Sequence, residues 1–277
     1  MANAISNVLV YDNTGFQPES SLRQTGCYTV IGFKNVLPSA SISGANEDPS
    51  HPLLNAFDQK DETKYSPLIS SGTVTMTFNL GATSQTVDYF AFGFHNGITA
   101  GLSVKIEYLF DGSFLTVNDI SGVANDKPYL YHFEPVTTNQ IRITLNFTDK
   151  LYIGALYVGK AMVFERTPNI GFNPARFNSL DETTVSETQG GNFVIGRRLP
   201  RGFEERGEIS QLTITPTFRN EVIEYNENAL NSNLVFVKWH QKLDDVILGR
   251  QDPRSLKGLP YDSSLLTSFA WNIKGYA

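Results

Sequence analysis

The chain has 277 residues, of which 40% are hydrophobic and 18% are charged, and its net charge at pH 7 is −6. This length is typical of two domains, and the apolar fraction excludes a chain that is disordered along most of its length. No basic cluster stands out, since the densest group is diluted by Glu204, Glu205 and Glu208; it consists of Arg197, Arg198, Arg201 and Arg206. This argues against a nucleic-acid surface, because phosphate recognition needs concentrated positive charge.

The single cysteine, Cys27, excludes an intrachain disulfide and a cysteine-rich zinc site. The first residues contain no basic stretch followed by an apolar one, and no apolar run reaches the roughly 18 residues of a membrane helix. We therefore expect neither a signal peptide nor a membrane segment, and we expect the chain to fold in a cytoplasm.

The first half of the chain has many short segments in which apolar and polar residues alternate, separated by Gly, Pro, Asn and Ser. This pattern predicts antiparallel strands. Residues 87–95 carry apolar side chains on both faces, so this strand is predicted to be central and covered on both sides. Besides the hairpin described next, strands are predicted at residues 5–10, 28–33, 74–80, 87–95, 129–133, 141–147 and 152–164.

The clearest local pattern is V-K-I-E-Y-L-F-D-G, which begins at Val104. Val104, Ile106 and Tyr108 alternate with charged residues, so they are predicted to share the buried face of one strand. Asp111 and Gly112 follow, and this pair favours the tight turn of a hairpin, since Gly tolerates positive φ angles. We therefore predict three buried side chains in the strand and an exposed turn after it.

The second half of the chain begins with residues 166–176, which contain two prolines and are predicted to link two domains, at 1–165 and 166–277. The second domain is predicted to be mostly β with long loops. Loops of that length in a compact domain are commonly functional or form interfaces. Strands are predicted at 192–195, 209–218, 234–239 and 265–273, a short helix within 220–232, and long loops at 197–206 and 249–260.

Five short motifs occur in order between residues 40 and 164. They are A-F-D followed by E-T-K-Y at 56–65, a strand ending N-L-G at 74–81, the strand at 87–96, the hairpin at 104–112 and I-R-I at 141–143. Together these residues resemble the discoidin, or coagulation-factor C-type, jelly roll, which is also the fold of many galactose-binding-like carbohydrate modules. The resemblance implies an all-β chain in which a discoidin-like jelly-roll β-sandwich precedes the second, mostly β domain.

Several features depart from the family pattern. Gln59 stands where the family usually has Gly, Tyr65 stands where it usually has Trp, and the cysteine pair of the extracellular members is absent. The closing segment at 153–157 has no carboxylate, where family members often carry a glutamate that helps bind calcium. The resemblance still implies a calcium position near Asp58, because hard cations prefer oxygen ligands. The other interpretation is that Asp58 caps a turn through its own backbone.

The sequence has no constellation for catalysis, so no catalytic, cofactor or metal residue is predicted. The four histidines are far apart, Gly-x-Ser-x-Gly is absent, and adjacent carboxylates point to opposite faces of a strand. Glycan binding needs an aromatic ring that stacks on the sugar beside hydrogen-bonding side chains. The resemblance implies binding loops at one end of the sandwich, and the candidates there are Tyr65, His95, Asn96 and Tyr152.

Two functions fit these features. A cysteine-poor β protein that is rich in Asn and Thr and lacks a catalytic set is similar in style to bacteriophage tail and baseplate proteins. The first prediction is therefore a non-enzymatic virion protein, assembled in the host cytoplasm, that acts by protein–protein assembly as a homo- or hetero-oligomer with other tail proteins. The alternative is a carbohydrate-binding module or adhesin that recognises a host-surface glycan.

Overall fold

A computed structural model describes residues 28–164, 179–187, 193–213, 216–231, 233–240, 245–252 and 266–276. The predicted strand at 5–10, Cys27 and the predicted linker at 166–176 lie outside the described residues. In the described part of the chain, no helix is both long and apolar enough to cross a membrane.

The described residues form strands with one α-helix and two short 3-10 turns. In chain order the strands are β1 (Val30–Gly32), β2 (Ser41–Ser43), β3 (Gly72–Asn79), β4 (Gln85–Gly93), β5 (Ser103–Phe110), β6 (Ser113–Ile120), β7 (Tyr129–Thr138), β8 (Gln140–Phe147), β9 (Ala155–Gly159), β10 (Met162–Val163), β11 (Ser179–Glu187), β12 (Phe193–Thr213), β13 (Leu234–Lys238), β14 (Val246–Gln251) and β15 (Leu266–Tyr276). Helix α1 spans Pro216–Leu230, and the 3-10 turns span Leu37–Ser39 and Leu53–Ala56.

Two antiparallel sheets form a β-sandwich. One has five strands in the order β2-β3-β8-β5-β6, and the other has three in the order β7-β4-β9. Their facing side chains make a single apolar core, to which β3 contributes Val74, Met76 and Phe78, and β8 contributes Ile141 and Ile143. The threonines that alternate with these residues in β3 point away from the core. The predicted fold class is confirmed as an all-β chain that contains a β-sandwich of two antiparallel sheets.

A third sheet covers the outer face of the three-stranded sheet. It has seven strands in the order β10-β1-β13-β14-β15-β12-β11. Between these two sheets lies a second apolar cluster, in which Tyr89 and Tyr157 of the sandwich pack with Phe236 and Leu248. On its opposite face the seven-stranded sheet packs against α1, whose Phe218, Val222 and Tyr225 join a third cluster. The layers are therefore the five-stranded sheet, the three-stranded sheet, the seven-stranded sheet and the helix.

Strand β4 is buried on both faces, as its sequence predicts. Phe90 and Phe92 point into the core of the sandwich, whereas Tyr89 and Ala91 point into the cluster beneath the seven-stranded sheet. Asp88, at a register shift between β4 and β7, is also buried and accepts a hydrogen bond from the backbone N–H of Ala161 at 2.7 Å. A carboxylate at this position is tolerated because it receives a donor in place of water.

The seven-stranded sheet crosses the predicted domain boundary after residue 165. Strand β1 pairs with β10 on one side and with β13 on the other. The backbone of the first half is thus hydrogen-bonded directly to the second half of the chain. The division into domains at 1–165 and 166–277 stays a prediction.

The hairpin predicted at 104–112 is formed by β5 and β6. Val104 and Ile106 are buried, and Tyr108 is half-buried. Asp111 and Gly112 are exposed and have φ angles of 46° and 75°, as a two-residue turn with two left-handed positions requires. The predicted turn is confirmed.

The loop predicted at 197–206 is wrong, because these residues lie inside the 21-residue strand β12. Arginines, Pro200 and Gly202 interrupt the apolar alternation there, so the sequence resembles a loop. Strand β12 instead obtains its backbone partners from β11 along its first part and from β15 along its second. Residues 216–218, predicted to end a strand, begin helix α1, where a proline suits the first turn. Of the loop predicted at 249–260, residues 249–251 belong to β14.

Candidate functional site

Three loops meet at one end of the sandwich, which we call the loop end: residues 44–71, 94–102 and 148–154. Strand register places them together, since Gly72 pairs with Phe147 and Ser103 pairs with Asn146 at this end. All four predicted glycan-binding residues lie in these loops, as the resemblance implied. The structure gives them different roles.

Tyr65 is completely buried, so its ring is not available for stacking on a sugar. Its hydroxyl donates to the carbonyl of Ala45 at 2.6 Å, and its backbone forms a bridge with Ile153. Burial raises the pKa of the Tyr65 phenol, which stays a hydrogen-bond donor. The prediction that Tyr65 forms part of the binding surface is corrected, because the loop that carries it folds inward over the core.

His95 is also a structural residue, since its side chain is fully enclosed. Its Nδ1 accepts the backbone N–H of Gly97 at 3.0 Å, so the ring proton lies on Nε2 and is donated to the carbonyl of Lys127 at 2.8 Å. Burial lowers the pKa of His95, and the ring is neutral with both nitrogens used. His95 therefore supports its loop through both ring nitrogens, and its contact with a glycan stays a prediction.

Asn96 holds the third loop in place. Its side-chain amide donates to the carbonyl of Lys150 at 2.8 Å, and its side-chain oxygen accepts the backbone N–H of Tyr152 at 2.8 Å. Both ends of the amide are therefore occupied by the backbone of residues 150–152. Asn96 therefore fixes the backbone that carries the Lys150 and Tyr152 side chains, and its own contact with a glycan stays a prediction.

Tyr152 is half-buried at the surface of the loop end. Its ring lies 5.5 Å from the ring of His51, with an interplanar angle of 64°. The His51 side chain is 38% exposed. Edge-to-face packing holds both rings in one orientation while leaving part of each exposed to solvent. Only the fold brings His51 to Tyr152, because the two residues are far apart in the sequence.

A charged pair lies beside these rings. The Asp48 carboxylate is 3.2 Å from Nζ of Lys150 and 3.7 Å from Nδ1 of His51. Lys150 also donates to the carbonyl of Pro67 at 2.9 Å. The backbone N–H of Ser50 and then the Lys150 ammonium lower the pKa of Asp48, so this carboxylate is ionised at neutral pH. The loop end thus presents two neighbouring aromatic rings, the Asp48 carboxylate as a hydrogen-bond acceptor and the Lys150 ammonium as a hydrogen-bond donor.

Asp58, near which the resemblance implied a calcium position, accepts hydrogen bonds from its own loop. One oxygen of the Asp58 carboxylate accepts the backbone N–H of Lys60 at 3.0 Å, and the other accepts the hydroxyl of Thr63 at 2.6 Å. Asp58 therefore caps a turn, which was the other interpretation of this residue. Among the described residues, no group of three His, Cys, Asp or Glu side chains is placed to hold a metal ion.

Gln59 stands at a position where the family usually has Gly, and the structure shows how the larger residue is accommodated. It has a φ of 62°, a left-handed conformation that favours the Gly usually found at this position. Its side-chain oxygen accepts the backbone N–H of Leu234 at 2.9 Å, and its carbonyl accepts a hydrogen bond from the Arg250 guanidinium. These bonds to β13 and β14 compensate for the strained backbone and attach the loop to the seven-stranded sheet.

The comparison with known proteins gives matches only among solved structures. No protein-family model matches the sequence, and no curated protein matches it. A GH29 fucosidase from Ruminococcus gnavus, solved with fucose, is 18% identical with a TM-score of 0.39, over 46% of this chain and 27% of the fucosidase chain. The match thus spans about a quarter of the fucosidase.

Two smaller proteins match over almost their whole length. Chitosan-binding module 1, derived from a chitosanase/glucanase of Paenibacillus sp. IK-5, is 18% identical with a TM-score of 0.38, over 45% of this chain and 98% of the module. CpGH89CBM32-5 from Clostridium perfringens, solved with GalNAc-β-1,3-galactose, is 14% identical with a TM-score of 0.38, over 46% of this chain and 99% of its own.

Proposed function

We propose that the protein is a non-catalytic glycan-binding protein whose ligand lies on the loop end of the β-sandwich. The observation that carries this proposal is the pair of partly exposed rings, Tyr152 and His51, beside the Asp48–Lys150 ion pair. An aromatic face stacks on the apolar face of a sugar, and the carboxylate and ammonium exchange hydrogen bonds with its hydroxyls.

The site is organised before the ligand arrives. Asn96 fixes the backbone of residues 150–152 through two hydrogen bonds, and Asp48 and Pro67 fix the Lys150 ammonium. Sugars bind weakly to mobile surfaces, because ordering side chains costs part of the interaction free energy. A prepositioned Tyr152 and Lys150 reduce that cost.

A glycan array followed by titration calorimetry with the best-bound glycan tests the proposal. We expect Tyr152→Ala to lower the association constant about tenfold or more, because a stacking surface is lost. Phe110→Ala is the matched control, since Phe110 is 58% exposed in the hairpin at the opposite end of the sandwich. Absence of binding to every arrayed glycan would refute the proposal, as would equal effects of the two substitutions.

Asn96→Ala tests the positioning role separately. We expect weaker glycan binding although Asn96 does not touch the sugar, together with altered Tyr152 ring signals in NMR spectra of the free protein. Asn118→Ala is a suitable control, because this asparagine lies in β6, outside the loop end. Unchanged ring signals and unchanged affinity would show that Asn96 does not position the site.

The second candidate function is the structural one predicted from the sequence, a virion component of a phage tail or baseplate. The observation that favours an assembly role lies at the end of the seven-stranded sheet, where β11 and residues 193–202 of β12 extend past β15 as a two-stranded ribbon. A location in virions assembled in the host cytoplasm belongs to this hypothesis. Mass spectrometry of purified virions tests it, and the absence of the chain from virions would refute it.

A further inference from the structure

One ring nitrogen of His51, Nδ1, is buried in the loop end and has no hydrogen-bond partner among the described residues. It lies 3.7 Å from Oδ2 of Asp48, which is too far for a hydrogen bond but close enough for two charges to attract each other. Buried polar atoms in folded proteins are nearly always hydrogen-bonded. This nitrogen is therefore placed to gain a partner when the ring takes up a proton.

The Asp48 carboxylate already has two donors. Oδ1 accepts the backbone N–H of Ser50 at 3.0 Å, and Oδ2 accepts a hydrogen bond from the Lys150 ammonium at 3.2 Å. These two donors lower the pKa of Asp48, so the carboxylate is ionised at neutral and mildly acidic pH. Oδ2 thus faces two nitrogens, one with a permanent charge and one whose charge depends on pH.

His51 is the group of the loop end that is suited to change charge near neutral pH. The other titratable groups in the segments packed against it are carboxylates, ammonium groups and a phenol, namely Glu47, Asp48, Lys64, Asp149, Lys150 and Tyr152. Such groups ordinarily keep one charge state between pH 5 and 8, whereas histidine changes its charge there. His95 also lies in the loop end, but burial lowers its pKa and both of its ring nitrogens are hydrogen-bonded, which opposes protonation.

We propose that His51 is a pH sensor of the glycan site and that its protonation weakens glycan binding. The inference rests on the proposed function, since it concerns the same site. The imidazolium is drawn to Oδ2 of Asp48, which then holds two cationic donors and is less available to a sugar hydroxyl. The ring also loses its electron-rich face, so it stacks less well on the C–H groups of a sugar.

The contact between the two rings carries the change to Tyr152. The gap of 3.7 Å between His51 and Asp48 closes to the roughly 2.8 Å of a charge-assisted hydrogen bond, which moves the His51 ring by about 1 Å. The Tyr152 ring packs edge-to-face on this ring, with 5.5 Å between the centroids, so its packing changes as well. Protonation therefore acts on both the acceptor and the stacking surface of the site.

The direction of the pH dependence follows from linkage. If the protonated form binds the glycan more weakly, glycan binding releases a proton, and the association constant rises from pH 5 to pH 8. Titration calorimetry at pH 5.0 and pH 7.5 measures this, with the glycan that is bound most strongly on an array at pH 7.5. We expect binding to be about threefold to tenfold weaker at pH 5.0. Titration in two buffers of different ionisation enthalpy should show release of at most about one proton.

His51→Phe separates the charge from the ring. Phenylalanine keeps an aromatic ring beside Tyr152, loses no hydrogen bond at Nδ1 and cannot be protonated. Its association constant should therefore be the same at both pH values within about twofold. His240→Phe is the matched control, because His240 lies outside the loop end, and it should keep the pH dependence of the wild type. Circular dichroism at both pH values establishes that each variant is folded.

NMR spectra of the free protein give a measurement that needs no glycan. The Tyr152 ring signals should shift with the same midpoint as the His51 ring signals when the pH is lowered, and Asp48→Asn should move that midpoint to lower pH. Tyr152 signals that do not follow His51, equal wild-type affinity at both pH values, or the same loss in His51→Phe would overturn the inference and leave the proposed function intact. Absence of glycan binding at both pH values would instead refute the proposed function, and the sensor with it.

Discussion

The two sheets of the sandwich differ in what lies on their outer faces. In the five-stranded sheet, β3 alternates buried apolar residues with threonines and its outer face meets solvent. In the three-stranded sheet, every residue of β9 and nearly every residue of β4 is buried. One outer face of the sandwich therefore carries polar side chains in contact with solvent, and the other is covered by a third sheet. The difference comes from the residues that point away from the sandwich core: they are threonines in β3, and they are largely apolar in β4 and β9. Four substitutions test this difference.

The largest effect is expected for Phe236→Ala. Phe236 is fully buried and packs edge-on against Tyr157 at 5.3 Å between the three- and seven-stranded sheets. Removing a buried phenyl ring should lower the free energy of unfolding by about 3–5 kcal/mol. Chemical denaturation measures this value. A loss below about 1 kcal/mol would mean that the third sheet does not cover the sandwich.

Gly93→Ala should have the next largest effect, about 1–3 kcal/mol, because overpacking a filled layer forces side chains out of position. A Cβ at residue 93 meets the side chain of Leu248 and lies 3.4 Å from the Phe236 ring. Gly122→Ala is the matched control, since a Cβ there has nothing within 4 Å. Thermal unfolding of both variants provides the comparison. Equal melting temperatures would contradict close contact between the sheets at this point.

Glu107→Gln tests the one nearly buried charge on the solvent-facing side. The Glu107 carboxylate accepts hydrogen bonds from Arg142 at 2.7 Å and Lys105 at 2.9 Å, and the Arg142 guanidinium stacks on the Phe114 ring at 4.0 Å. The hydrogen bond from Arg142 is the main cause of the lowered pKa of Glu107. We expect a loss of about 1–2 kcal/mol near pH 7, since hydrogen bonds to charged groups are the stronger ones.

The pH dependence of this loss follows from the lowered pKa. A carboxyl whose pKa is lower in the folded state stabilises the fold above its unfolded pKa of about 4.3, and this contribution disappears as pH falls through the folded pKa. The difference between wild type and Glu107→Gln should therefore be constant from pH 6 to 8 and shrink below about pH 4. Urea denaturation at pH 7 and pH 3 measures it, and a pH-independent difference would contradict the ion pairing.

Thr75→Ala should have the smallest effect, within about 0.5 kcal/mol, as is usual for exposed positions. Thr75 is exposed on β3, and its hydroxyl lies 3.2 Å from that of Thr144 on β8. Met76, the next residue, is fully buried. Denaturation of Thr75→Ala beside Met76→Ala therefore contrasts the two faces of one strand. Similar losses would remove the distinction between a solvent face and a core face.

Local pattern predicted much of the sandwich. Alternation located β3, β5 and β8, and the Asp111–Gly112 pair located the hairpin turn, because these features depend on backbone geometry and the nearest side chains. The sequence pattern gave a wrong prediction at residues 197–206, where it indicated a loop. These residues are part of a strand because they pair with β11 and β15. It also failed to show that β1 leaves the sandwich to pair with β13, because pairing between segments distant in sequence leaves no local signal.

The candidate site was predicted in outline. The loops that carry Tyr65, His95, Asn96 and Tyr152 do meet, but sequence does not show which aromatic side chains face solvent. Tyr65 is fully enclosed by the loop on which it lies, whereas Tyr152 is held at the surface by Asn96. Orientation of a loop side chain depends on packing against other loops. His51 was missed for the same reason.

The sequence by itself determined that the chain is β-rich, that the segment of β4 is a strand covered on both sides, and that the hairpin turns at Asp111 and Gly112. These properties follow from hydrophobic period and from the conformational freedom of glycine. Only the tertiary structure decided that the second cover is a seven-stranded sheet built from both halves of the chain. It also decided that Asp48, His51, Lys150 and Tyr152 share one surface. Contacts of this kind join residues far apart in the chain, and their free energy comes from packing and pairing that no single segment contains.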